Sequence, residues 1–312
     1  MATTLPLYAG ADPVVIIGSV AYDTIETPYA HGERILGGSA SYAALAASYY
    51  APVRIVGVVG NDFAAKDEER LRARGIDLDG LQHDASGPTF YWVGKYHENF
   101  NRRDTLELHL NVFERFRPEL PSNYRSTPFV LLGNIHPDLQ AHVLDQLVAK
   151  DVFVLADTID FWIKTSGESL HKLIRRVDLF VINDSESELL TGEKNVFLAG
   201  RKLLADGPKS LIIKKGEHGA LLFHQDGIFA LPAFPVTELR DPTGAGDSFA
   251  GALLGYLASQ HRSDFATLKK AMLYATVTAS LTVEAFSCDR LESAGPVEIQ
   301  RRHDELHRMI SL

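Results

Sequence analysis

Cysteine is almost missing from this sequence: Cys288 stands alone among 312 residues. That excludes an internal disulfide and a cysteine-built zinc site, and it suits a reducing compartment. Long apolar runs are missing too. The first, residues 14–17, falls far short of the roughly 20 residues a membrane-crossing helix needs. Residues 1–8 lack the basic start of a secretory leader, so the expected setting is the cytoplasm, with no membrane partner. Basic residues are in deficit, 31 Lys and Arg against 40 Asp and Glu, for a formal net charge of -9. A nucleic-acid partner would call for a basic face, so none is expected. An anionic nucleotide must be held by local N–H groups and a few cations against the global field. Neither a Gly-x-Ser-x-Gly elbow nor a Walker A loop occurs.

What the chain does hold is core-forming residue, 46% hydrophobic, enough for one large α/β domain with a small appendage. The most informative stretch is Asp241-Pro-Thr-Gly-Ala-Gly-Asp247-Ser-Phe-Ala-Gly-Ala-Leu-Leu-Gly255. Pro242, Gly244 and Gly246 forbid regular structure in its first half. After Asp247, Phe249, Leu253, Leu254 and Leu257 fall on one helical face. A glycine loop therefore feeds a helix N-terminus, whose unpaired N–H groups and positive dipole end suit anionic oxygens such as a phosphoryl group. Asp247 at that mouth would repel phosphate. It suits a general base that takes a proton from an attacking hydroxyl. The plainer alternative is a capped helix behind a turn, but two glycines and two aspartates exceed what a cap requires.

Asp241-Pro-Thr-Gly-Ala-Gly-Asp247-Ser-Phe, followed by a helix of small residues, closely resembles the C-terminal signature of the ribokinase-like (PfkB) carbohydrate kinases. The resemblance implies that Asp247 is the catalytic base and that Gly244, Ala245 and Gly246 form the anion hole for the transferred phosphoryl group. It also implies a three-layer α/β sandwich with a mainly parallel central sheet covered by helices, plus a small β-sheet lid from two insertions. One domain over 1–312 is expected, with the lid built from about 20–36 and 88–112.

The rest of the chain reads compatibly. Residues 14–18 and 54–59 read as buried strands. Asp23 follows the first in a polar loop to Arg34, and an alanine-rich helix spans 40–48. Asn61 or Asp62 reads as the cap of a helix ending near Arg74. Residues 89–110 read as a hairpin, apolar on one face at 106, 108 and 110, which should pack on something else. Strands at 129–132, 152–156, 179–182 and 210–213 alternate with helices at 137–149, 167–176, 185–190 and 197–205, implying a parallel sheet. Residues 220–231 read as an edge hairpin. Helices over 265–281 and 297–309 follow.

Other residues gain meaning beside the signature. Asn183 and Glu186 open a helix after a strand. They read either as a cap or as oxygens facing Mg²⁺ and triphosphate; the resemblance favours the latter, with Glu186 reaching the metal through water. Gly37 and Gly38 are implied as the backbone edge of a sugar pocket, and Asp23 as the carboxylate that takes substrate hydroxyls. The family often has an Asn in the helix after the Gly-Gly pair, where this chain has Ser41 and Tyr42. Lys214, Gly216 and Gly219 are implied to flank the nucleotide, with residues 278–288 beside the adenine. Asp241 and Thr243 resemble positions near a monovalent-cation site. His303 and His307 read as a solvated helix face, not as a zinc pair.

The expected activity is transfer of the γ-phosphoryl group of ATP, with Mg²⁺, to a hydroxyl of a small carbohydrate, a CH₂OH group. A nucleoside is the alternative acceptor, with Tyr22, Tyr42, Tyr91 and Trp92 as candidates to stack on a base. A non-catalytic sugar-binding regulator is the alternative of another class. Pairing of two copies through the lid hairpin is a further expectation.

Overall fold

The computed structural model describes residues 9–98, 100 and 102–311. Residues 1–8, and Asn99 and Asn101 in the polar turn of the expected hairpin, lie outside them. Thirteen strands run in chain order: β1 (Val14–Ile17), β2 (Ala21–Glu26), β3 (His31–Gly37), β4 (Val53–Gly60), β5 (Asp77–Asp84), β6 (Phe90–Tyr96), β7 (Arg103–His109), β8 (Phe129–Leu132), β9 (Phe153–Asp157), β10 (Leu179–Asn183), β11 (Ser210–Lys214), β12 (Ala220–His224) and β13 (Gly227–Leu231).

They form two sheets. The larger has nine strands in the order β13-β12-β11-β10-β9-β8-β1-β4-β5, and the smaller has four in the order β3-β2-β6-β7. From β11 to β5 the large sheet is parallel, and β12 and β13 close one edge as an antiparallel hairpin. The continuous apolar strands follow from burial on both faces. In β1, Val14 and Ile16 enter one core, and Val15 and Ile17 enter the other.

The first core lies under helices Ser39–Ala47, Ala245–Gln260 and Phe265–Thr282. Ala245–Gln260 is buried on every side from Ser248 to Ala258. Small residues make that possible. A Cβ on Gly251 would collide with the Ala43 carbonyl, and one on Gly255 would lie 2.9 Å from the Ala47 carbonyl. The two backbones therefore approach as close as bare glycine allows. Cys288 is fully buried in the same core.

The structure differs from several readings. The polar stretch after Asp23 is not a loop: it supplies β2 and β3, paired antiparallel. β6 joins β2 in parallel, so the expected hairpin is the second half of a mixed sheet. Its apolar positions do not pack; Leu106 and Leu108 in edge strand β7 and Leu110 just after it are 51%, 52% and 38% exposed. Neither Asn61 nor Asp62 caps Ala65–Ala73, which starts after Ala64 without a side-chain cap. Asp62 instead accepts from the Thr89 N–H and hydroxyl, both at 2.7 Å, and ties the small sheet to the large one. β5 was invisible because an edge strand carries polar residues such as Asp77, Asp79 and His83. The helix expected over 137–149 ends at Leu144. Short helices Asp160–Thr165 and Asp289–Ser293 were not foreseen.

Gly251→Val should force the two helices apart and cost about 1–3 kcal/mol, read as a lower urea midpoint at unchanged slope. A wild-type midpoint would mean that this contact does not hold the core together.

Candidate active site

Parallel strands place their carboxyl ends on one rim, where ligands bind in such sheets. Asn183 and Lys214 end β10 and β11 in direct register. Asp157 ends the neighbouring β9. Helix Ala245–Gln260 aims its N-terminus at the same rim, with Asp247 its third residue. Asp247 lies within electrostatic reach of Lys214 and Arg103. Asp157 in turn faces Asp247, Lys214 and Glu186. Asp23 faces Asp241, Asp247 and Arg103. Carboxylates from four separate stretches of chain thus converge with two cations between them.

The loop before the helix depends on glycine at two points. Gly244 has φ 77°, a left-handed conformation, and its Cα rests on the Tyr42 ring with no room for a Cβ. A Cβ on Gly246 would stand 2.7 Å from Lys214 Nζ, so the glycine admits the lysine to the helix mouth. The Ala245 N–H donates to the Pro242 carbonyl at 3.2 Å. That commits one of the three amides expected in the anion hole, and Gly246 and Asp247 carry the helix dipole outward. Below the loop, Asp241 is 1% exposed. Its Oδ1 accepts from the Thr243 N–H at 2.9 Å, while its Oδ2 is buried without a partner. Burial pushes this carboxyl up to about 6, against hydrogen bonds from Thr243 and Ser287. The Thr243 hydroxyl meets the Tyr96 hydroxyl at 3.0 Å, a link between the loop and the small sheet.

Asn183 and Glu186 do form the cap that their spacing allows. Asn183 Oδ1 accepts from the Glu186 N–H, and Glu186 Oε2 accepts from the Asn183 N–H, both at 2.8 Å. Glu186 is still drawn towards the cleft, beside Lys214 and Arg103, and burial raises its pKa. Gly216 and Gly219 shape a tight turn after β11, with positive φ of 54° and 85°. The Lys215 N–H closes it by donating to the Gly219 carbonyl at 2.7 Å.

On the small sheet, the Asp23 carboxylate occupies the space a Cβ on Gly37 would need, and the Gly38 N–H donates to it. Burial, then the charges of Asp241 and Asp247, push Asp23 up to about 8. Its register partner in β6 is Trp92, and the partner of Trp92 in β7 is Leu108. Register neighbours share a face, so Trp92 lies on the Asp23 face, with the Arg103 guanidinium 5.6 Å from its ring centre. The other aromatic candidates point elsewhere. Tyr22 donates to Asp67 at 2.8 Å, Tyr91 donates to Thr24 at 2.8 Å, and Tyr42 is buried under Gly244.

Burial and the Asp247 charge hold Asp157 well above the usual carboxylate range. Asp247 is also raised by burial, but Lys214 and Arg103 pull it back. Arg103 and Asp157 were both missed from the sequence. Arg103 looked like one more surface cation in a polar turn, and Asp157 lay just past the end of the strand read over 152–156. Among the described residues no three or more His, Cys, Asp or Glu are arranged to hold a metal unaided. The donors present are hard carboxylate oxygens, Glu186 and Asp157. They fit Mg²⁺, which takes one or two carboxylates and completes its shell with water and nucleotide oxygens. No helix is long and apolar enough to cross a membrane among the described residues.

A glycine-loop helix with a carboxylate at its mouth, on the rim of a parallel sheet, can take anionic oxygens at its N-terminal amides. Residues 11–294 match the pfkB family of carbohydrate kinases, and the chain belongs to that family. It is 31% identical over 261 residues to a cytidine kinase from Thermococcus kodakarensis, an alignment covering 80% of this chain and 88% of the relative. In fold it is similar to the nucleoside kinase of Burkholderia thailandensis in complex with inosine, at TM-score 0.77, 23% identity and coverage of 94% and 98%. It is similar also to an E. coli protein described as a ribokinase II, in complex with ATP and Mg²⁺, at TM-score 0.78, 20% identity and coverage of 94% and 99%. The protein is a ribokinase-like phosphotransferase acting on a sugar or nucleoside hydroxyl.

A carboxyl whose folded pKa is raised withdraws stability as pH climbs from its unfolded value towards, for Asp23, about 8. Asp23→Asn should therefore melt about 2–4 °C above wild type at pH 8, with the gap closing by pH 4, where both side chains are neutral. Equal melting at pH 8 would mean that Asp23 is not held protonated in the empty cleft.

Proposed function

We propose that the protein is an ATP-dependent kinase that phosphorylates the CH₂OH group of a ribosyl ring, with a ribonucleoside as the favoured acceptor. The observation that carries the transfer chemistry is Asp247 at the helix mouth, within electrostatic reach of Lys214, Arg103 and Asp23. Asp23 takes the ring hydroxyls and aims the CH₂OH at Asp247. Asp247 accepts the hydroxyl proton as the oxygen attacks phosphorus. The Gly246 amide and the helix dipole, with Lys214 and Arg103, face the charge on the transferred phosphoryl group. Glu186 and Asp157 would hold Mg²⁺, which neutralises phosphate charge when bound. The small sheet acts as the lid: Tyr96 and Arg103 bring it onto the phosphoryl side, where it keeps out water.

Trp92 favours the nucleoside reading. Of the four aromatic candidates it is the one left on the Asp23 face, where a base attached to the bound ribose can lie against it. Similarity to a cytidine kinase over most of the chain points the same way. A free sugar, the first expectation from the sequence, needs Asp23 but not Trp92. The unpartnered Asp241 Oδ2 supports a monovalent cation beside Thr243. The exposed Leu106 and Leu108 on edge strand β7, with Leu110 just after it, support pairing of the lid with a second copy.

The test is ADP release from Mg·ATP with ribonucleosides, pentoses, hexoses and sugar acids, with and without K⁺. A ribonucleoside should be turned over, and Asp247→Asn should lower that rate about 10²- to 10⁴-fold while ATP still binds. Trp92→Ala should raise the nucleoside KM and spare any turnover of free ribose. A free sugar as the better acceptor would reverse the acceptor reading. Ligand binding without ADP formation across the panel would leave a non-catalytic binder. Leu108→Lys should leave a monomer in sedimentation where wild type forms a dimer; a monomeric wild type would remove the lid pairing.

A further inference from the structure

Tyr96 alternates with Gly94 and Trp92 along β6, so it lies on the Asp23 face of the small sheet. It is 6% exposed, and its hydroxyl is used twice. The Thr243 hydroxyl stands 3.0 Å from it, where the small sheet meets the glycine loop. The guanidinium of Arg103, its register partner in β7, hydrogen-bonds to it as well.

The groups themselves fix the direction of each bond. Arginine has donors and no acceptor, so the Tyr96 oxygen accepts from Arg103. The single Tyr96 hydrogen is then left for Thr243 Oγ1. Burial holds the Tyr96 phenol above its ordinary range, so that hydrogen stays in place. The Thr243 hydroxyl in turn hydrogen-bonds to the Asp241 carboxylate, whose Oδ1 already accepts from the Thr243 N–H. A cation on the small sheet is thus joined through two hydroxyls to a buried carboxylate under the glycine loop. Bonds that run one way from charge to charge reinforce one another.

Arg103 needs such a holder. It stands exposed on edge strand β7, where core packing does not fix its long side chain. The Trp92 ring, 5.6 Å away, gives it one flank only. An arginine left loose would have to be ordered afresh at each turnover, at a cost in rotamer entropy. We propose that Tyr96 is a positioning residue for phosphoryl transfer: its hydroxyl ties Arg103 to Thr243 and so sets the guanidinium beside Asp247 while the small sheet is seated on the loop. The proposal rests on the kinase reading and gives lid closure and charge stabilisation a single cause.

The test is the rapid-quench transfer rate at saturating ATP and acceptor, with the acceptor KM, for wild type, Tyr96→Phe, Arg103→Ala and the double variant. Tyr96→Phe keeps the ring and removes the hydroxyl. Its transfer rate should fall about 10- to 100-fold, with acceptor KM and melting temperature near wild type. Arg103→Ala should lose at least as much, and Tyr96→Phe should cost nothing further in that background. A tyrosine that only packed the small sheet would lower the melting temperature and add its loss to that of Arg103. A wild-type transfer rate in Tyr96→Phe, or additive losses in the double variant, would overturn the assignment. Should Tyr96→Phe not fold, Thr243→Val breaks the same chain at its other end and should show the same pattern against Arg103→Ala. A wild-type rate there would also overturn it. Wild type that turns over no acceptor would instead bring down the kinase reading, and this assignment with it.

Discussion

Everything at the catalytic rim depends on one close approach, that of helix Ala245–Gln260 to helix Ser39–Ala47. The Ala43 carbonyl fills the space where a Gly251 side chain would stand, and the Tyr42 ring fills the space under Gly244. These contacts hold a helix that is buried along most of its length, and they fix where its N-terminus ends. A helix dipole is useful to a phosphoryl group only at the first turn, so a small shift of the axis would take the amides out of range. The small residues of the signature thus act twice. They pack the core, and they set the position of the charge-binding end.

The second organising force is electrostatic. The chain is acidic overall, and its cleft gathers Asp23, Asp157, Glu186, Asp241 and Asp247. Lys214 and Arg103 offset them in part. Carboxylates gathered so closely repel one another, and a cation among them relieves that repulsion. Asp23 shows the cost of that crowding: burial and the charges of Asp241 and Asp247 push its carboxyl up to about 8.

How much could be read from the sequence depended on how local each signal was. The loop and helix from Asp241 onward declare themselves because Pro242, Gly244 and Gly246 break structure just where helical periodicity begins. The alternation of strands and helices after Phe129 was equally legible, since each element carries its own pattern. The small sheet was expected through the resemblance alone, and its mixed pairing was not legible, because a parallel pairing between β2 and β6 joins segments far apart in sequence. Arg103 gains its place only through that pairing. Asp157 has no motif around it, and its burial and company come from β10, β11 and the helix mouth. Tyr42, Tyr22 and Tyr91 looked equivalent to Trp92 on paper; strand register and packing separate them.

The lone cysteine has a practical corollary. Cys288 is fully buried in the core, and burial holds its thiol well above the ordinary range. A thiolate is the reactive form, so the native surface presents no target to maleimides or other thiol probes. Cysteines introduced in pairs, one on the outer face of β7 and one on the large sheet, would be the only labelling sites on the molecule. The distance between the two sheets then becomes directly observable in solution with spin labels or fluorophores, without first stripping the protein of its own cysteine.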